Sequence, residues 1–154
     1  MAPLLLGLAI VAKSNKPILV ISTGDEPLVK LHFTVYSSLD IVDERVASPP
    51  VLNYLGLLGL SGSHATYAMI SGATCVKVFA VFDADAEPAP RDEDVRLLLS
   101  GVAAAYVDWA CNPFVKLDKR GLAVVDDPVP LEGGTGVSQL RKRLSMLVQN
   151  FGQV

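Results

Sequence analysis

The chain has 154 residues, of which 51% are hydrophobic and 19% charged, and a formal net charge of -3. That length and composition suit one compact domain with a sizeable core and exclude a disordered chain. The acidic balance, with no run of five like charges, argues against a nucleic-acid face and against a polybasic membrane patch.

The opening MAPLLLGLAIVAK has the apolar content of a secretory leader, but no basic residue precedes the apolar run, and a second run, KPILVIST, follows at once. Two such runs around KSNKP read as a β-hairpin, with strands from about Leu4 to Ala12 and Ile18 to Ser22. Neither run approaches the ~20 apolar residues of a membrane span. A helix follows from about Leu28 to Val46, because Leu28, Leu31, Val35, Leu39, Val42 and Val46 recur at steps of three and four. Ser48-Pro49-Pro50 ends it, since proline cannot continue a helix.

Three strands fit the middle: Val51 to Leu60, His64 to Ile70 and Cys75 to Asp83. Their connections are short and glycine-bearing, so they are expected to pair as an antiparallel meander. A second helix runs from Asp92 to Cys111, with three carboxylates at its start where the helix dipole favours them. Its stripe is Val95, Leu98, Leu99, Val102, Tyr106, Trp109 and Ala110, and its many alanines suggest cover on more than one side. A long loop over 115–136 precedes a last helix from Val137 to Phe151, with Leu140, Leu144, Leu147 and Val148 inward and Arg141, Lys142 and Arg143 outward. The order β-β-α-β-β-β-α-α is α+β, one antiparallel sheet with helices packed on it, in a single domain over residues 1–154.

Chemistry is hard to find in this chain. The two cysteines, Cys75 and Cys111, lie far apart, so neither a disulfide framework nor a zinc knuckle is expected, and reduced intracellular thiols are. His32 falls on the first helix and His64 at a strand start, and no hydrolase, phosphate-loop or metalloprotease motif contains either. Asp83, Asp85, Glu87 and Asp94 alternate like a calcium loop, but Pro88 stands where such a loop needs glycine. No catalytic residue, cofactor or metal is therefore expected. A nucleophilic Cys111 is the enzymatic alternative, against a small buried residue near a helix end.

Surface remains. On the first helix, at about 100° per residue, Phe33, Tyr36 and Asp40 point away from the Leu/Val stripe. Two aromatics beside a carboxylate on an outer face suit protein binding, unless a loop or the last helix covers them.

The runs LAIVAKSNKPILVIS, LVKLHFTVYSSLDIVDERV, YLGLL and RDEDVR…YVDWACNPF, in that order, resemble the sedlin family of transport-complex subunits, and within it the 2-like branch. The resemblance implies a longin-like (SNARE-like) fold: a five-stranded antiparallel sheet with one helix on one face and two on the other. It implies a non-catalytic subunit of TRAPP, which tethers vesicles and activates Rab-type GTPases in ER-to-Golgi and Golgi transport. Partners would be other TRAPP subunits, with an indirect link to a Rab-type GTPase. The chain would be cytoplasmic and peripheral at ER/Golgi membranes through the complex, with no integral span. Asp40 matches the aspartate of the family's S-L-D, and Asn112-Pro113-Phe114 matches its N-P-F, a helix end with a phenylalanine as structural anchor. Val115 departs from the family's tyrosine, and the segment before the last helix is longer and different. The alternative implied by the fold is a longin-type domain of another trafficking adaptor or SNARE-related protein.

Overall fold

The computed structural model describes residues 5–12, 15, 17–22, 27–47, 54–71, 76–85, 90–110 and 135–152. They form β1 (Leu5–Val11), β2 (Pro17–Ser22), α1 (Leu28–Ala47), β3 (Tyr54–Ser61), β4 (His64–Ile70), β5 (Lys77–Asp83), α2 (Asp92–Ala110) and α3 (Thr135–Gly152). The five strands make one antiparallel sheet in the order β2-β1-β5-β4-β3. The expected hairpin and meander are both present, and a β1–β5 ladder joins them.

Alternation along the strands divides the core in two. Leu8 and Ile10 of β1, Tyr67 and Met69 of β4, and Val78, Ala80 and Phe82 of β5 pack beneath α2 and α3. Ala9 and Val11, Ala68 and Phe79 point the other way, onto Val35, Leu39 and Val42 of α1. The fold is therefore one helix on one face and two on the other, the longin-like arrangement. β4 and β5 are buried on both faces, which is why their sequences show little polar alternation. Gly7 of β1 makes room for α1: a Cβ there would lie 2.7 Å from Leu31 Cδ1 and 2.8 Å from the Ile21 carbonyl oxygen. The β3–β4 turn has glycine at its first central position, Gly62, at φ 60°, as a II′ hairpin turn requires.

α2 is covered on two sides, as its alanines suggest. Its Val95, Leu99 and Val102 meet the sheet side of the core, and Gly101 lies against Leu147 of α3. Leu140 and Leu144 anchor α3, while Arg141, Lys142 and Arg143 face solvent. Arg143 reaches Asp108 of α2 at 3.3 Å.

Two details differ from the sequence reading. Leu28, assigned to the inward stripe, is 42% exposed, because it opens α1 beyond the edge of the core. α3 begins at Thr135, inside the segment expected to be loop. Leu4, residues 51–53, Cys75 and residues 111–134, which hold Cys111, Asn112-Pro113-Phe114 and most of the 115–136 loop, lie outside the described residues.

Candidate functional site

α1 starts after Pro27, whose carbonyl accepts the Lys30 and Leu31 N–H groups at 3.1 and 3.3 Å. Its hydroxyl residues bond back to their own helix: Thr34 to Lys30, Ser37 to Phe33 and Ser38 to Thr34. Such bonds satisfy hydroxyls within the helix itself, so short polar residues sit comfortably on a helix that must pack on one side and present the other. The last turn carries Arg45, a cation suited to a helix C-terminus. Its guanidinium also donates to the Leu55 and Leu57 carbonyls of the edge strand β3, at 2.8 and 3.4 Å.

The outer face is as the periodicity suggests. Phe33 is 68% exposed and Tyr36 49%, Asp40 is exposed, and α3 lies on the opposite side of the sheet. His32 stacks on Tyr36 with ring centroids 6.3 Å apart. Val29, which the sequence reading passed over, lies one turn before Phe33 and is largely exposed. Four residues of this face therefore run apolar or aromatic along the first half of α1. Along the second half come Asp40, Asp43 and Glu44, all exposed carboxylates.

Beside the aromatic half lies a cavity of about 440 Å3 between α1 and the β3–β4 turn. Val29, the exposed Lys30, Phe33 and Ser61-Gly62-Ser63 form its rim, and the buried Thr34 and His64 lie at its base. Thr34 Oγ1 donates to the Lys30 carbonyl at 2.9 Å and lies 2.8 Å from His64 Nδ1. The hydroxyl and the ring nitrogen share one buried hydrogen bond, whose direction follows the tautomer of the ring. These two polar side chains are thus held within the wall.

The acidic half is tied down by a pair that sequence alone did not reveal. Lys77, at the start of β5, has a side chain only 8% exposed, and its ammonium lies 2.6 Å from Asp43. Asn15 of the β1–β2 turn, held at φ 65°, accepts from the same ammonium and donates to Asp43 at 3.1 Å. The Lys77 hydrogen bond holds the Asp43 carboxyl below the usual carboxylate range, against the opposing effect of partial burial. Asp43 belongs to the same S-L-D-I-V-D-E block as Asp40, yet the two have separate surroundings: Asp43 anchors the helix and Asp40 is presented outward. On the other side of the sheet, burial and the nearby Asp92 push the Tyr54 phenol up to about 12. Its hydroxyl donates to Asp92 at 3.3 Å, and Arg96 lies over its ring at 5.1 Å.

Asp83 Oδ1 accepts the Asp85 N–H at 2.9 Å in a local turn. Among the described residues no cluster of three or more metal-ligating side chains occurs, and no helix is long and apolar enough to cross a membrane. What the geometry offers is a contact surface: an aromatic patch, a shallow recess and a row of carboxylates on one rigid helix.

Comparison with known proteins places this surface in context. Residues 10–123 match the Sedlin family model. The chain is 34% identical over 112 residues to the trafficking protein particle complex subunit 2-like protein of Xenopus tropicalis, covering 69% of this chain and 79% of that one. The mouse protein of the same name is 33% identical over 113 residues, covering 70% and 80%. The Dictyostelium discoideum protein of that name is 29% identical over 119 residues, covering 73% and 83%.

Proposed function

Since the chain belongs to the sedlin family, we propose that it is a non-catalytic subunit of a TRAPP complex, which tethers vesicles and activates Rab-type GTPases in ER-to-Golgi and Golgi transport. It acts through protein contacts and assembly, as one longin-like domain over residues 1–154. Its partners are other TRAPP subunits, and its link to the GTPase runs through them. It is cytoplasmic, and reaches ER and Golgi membranes as a peripheral component of the assembly.

The observation that carries this reading is the outer face of α1. Phe33, Tyr36 and Asp40 stand exposed within a block that matches the family, on a helix fixed to the sheet by its opposite side. Exposed aromatics on a rigid element are the side chains that most often anchor interfaces. Asp40 forms a partner contact there.

The test is purification of the tagged chain from its native cell, followed by size-exclusion chromatography and mass spectrometry. Recovery in a large particle with TRAPP subunits is expected. Asp40→Tyr is expected to lower that recovery while the variant keeps its circular dichroism and melting temperature. Recovery as a lone 16.3 kDa species would refute the assembly reading and favour a longin-type domain of another adaptor. Unfolding of Asp40→Tyr would make Asp40 structural.

A further inference from the structure

Taking the α1 face to be a partner contact, as proposed above, we infer what the partner presents: an amphipathic helix of a different chain, apolar along one half of its contact stripe and basic along the other. Val29, Phe33, Tyr36, Asp40 and Glu44 follow one another at steps of four, three, four and four. At about 100° per residue they form a single stripe opposite Leu31, Val35, Leu39 and Val42. The stripe is about 22 Å long at 1.5 Å per residue. Steps of three and four are the period at which one helix seats its side chains between those of another. An extended strand, whose side chains alternate every second residue, does not match that spacing.

Charge then selects the occupant. The first half of the stripe is uncharged and aromatic, and the second half ends in Asp40 and Glu44, with Asp43 beside them already engaged by Lys77. Asp40 and Glu44 therefore await cations, and lysine or arginine on a partner helix supplies them while its stem covers the neighbouring apolar surface. A second copy of this chain does not fit. Packed parallel on the same face, it sets carboxylate against carboxylate. Packed antiparallel, it offers Glu44 only the exposed Lys30 beside Val29 and buries Asp40 against Phe33 with no counter-charge. The recess beside Phe33 and Val29 takes an apolar side chain from the partner's uncharged half.

Site-specific photo-crosslinking in the assembled complex tests this. Benzoylphenylalanine replaces Phe33 in one tagged full-length chain, and Met146, exposed on α3 across the sheet, in a control. Crosslinked peptides are then sequenced. The expected result is a crosslink from position 33 to another chain, in a segment with apolar residues at helical spacing and at least two lysines or arginines continuing that stripe. Asp40→Lys/Glu44→Lys is expected to reduce that crosslink by on the order of tenfold or more, without lowering the melting temperature. A crosslink to a partner segment that lacks basic residues, or whose apolar residues alternate, overturns the helix assignment and leaves the partner face standing. A crosslink to a second copy of this chain overturns the choice of a different chain. Crosslinks from position 146 alone overturn the α1 face itself, and with it the proposed contact.

Discussion

Removing the two members of the Lys77–Asp43 pair one at a time is expected to have unequal effects. The ammonium is the buried partner, with its side chain 8% exposed, and the carboxylate is the wet one, at 49%. Asp43→Ala leaves Lys77 charged in a nearly dry site with Asn15 as its remaining partner among the described residues, a loss of about 1–3 kcal/mol for an under-satisfied buried polar group. Lys77→Met keeps the apolar stem and removes the buried charge, while Asp43 rehydrates, so it is expected to cost under about 1 kcal/mol. The double variant is expected to recover most of what Asp43→Ala loses, giving a coupling of about 0.5–2 kcal/mol. Urea titration at neutral pH reads this as a change in midpoint at constant slope. The pair also sets a pH dependence. The folded-state pKa of Asp43 lies below its unfolded value, so its contribution is present above the unfolded pKa and is lost as pH falls through the folded one. The gap between native protein and Asp43→Ala is therefore expected to narrow below about pH 4. If Lys77→Met costs more than Asp43→Ala, or the two losses add, the buried-ammonium account fails.

Gly7→Ala is expected to cost about 1–3 kcal/mol through overpacking. Leu31→Ala is not expected to rescue it, because the Ile21 carbonyl oxygen, 2.8 Å from the new Cβ, remains in place; a double-variant melting series checks this. Leu140→Ala and Leu144→Ala are expected to cost about 2–5 kcal/mol each by cavity formation, measured by denaturant unfolding. Arg45→Ala uncaps the Leu55 and Leu57 carbonyls on an edge strand that carries no charged residue, and is expected to increase concentration-dependent self-association in light scattering. Tyr54 is expected to ionise near pH 12 in a tyrosinate absorbance titration compared with Tyr54→Phe. Because its folded pKa is raised, its stabilising contribution is present below about pH 10 and lost between there and 12.

Strand and helix positions were legible because this chain states them twice, once in periodicity and once in punctuation. The α1 stripe ran at steps of three and four up to Pro49, Asn and Pro marked the first hairpin turn, and glycine marked the turns of the meander. The exposed trio Phe33, Tyr36 and Asp40 was legible for the same reason: a helix with one buried stripe leaves the opposite residues outside. Leu28 misled because the hydrophobic period continues one turn past the sheet it serves. The Asn15–Asp43–Lys77 cluster was hidden because it depends on three remote segments: the β1–β2 turn, the end of α1, and the register that sets Lys77 opposite Val11. Lys77 falls inside the run expected as a strand from Cys75 to Asp83, and nothing local says that its ammonium is buried.

The β1–β5 ladder has a consequence in time. Val11 pairs with Lys77, 66 positions later in the chain. At about 5–20 residues per second, a ribosome takes roughly 3–13 s to cover that interval. Throughout it the finished β1–β2 hairpin waits with one apolar edge unpaired, and α1 emerges before the strands that will complete its bed. A newborn chain therefore passes through a stage in which β1, an inner strand of the finished sheet, lies at an open edge, and the arrival of β5 closes the sheet.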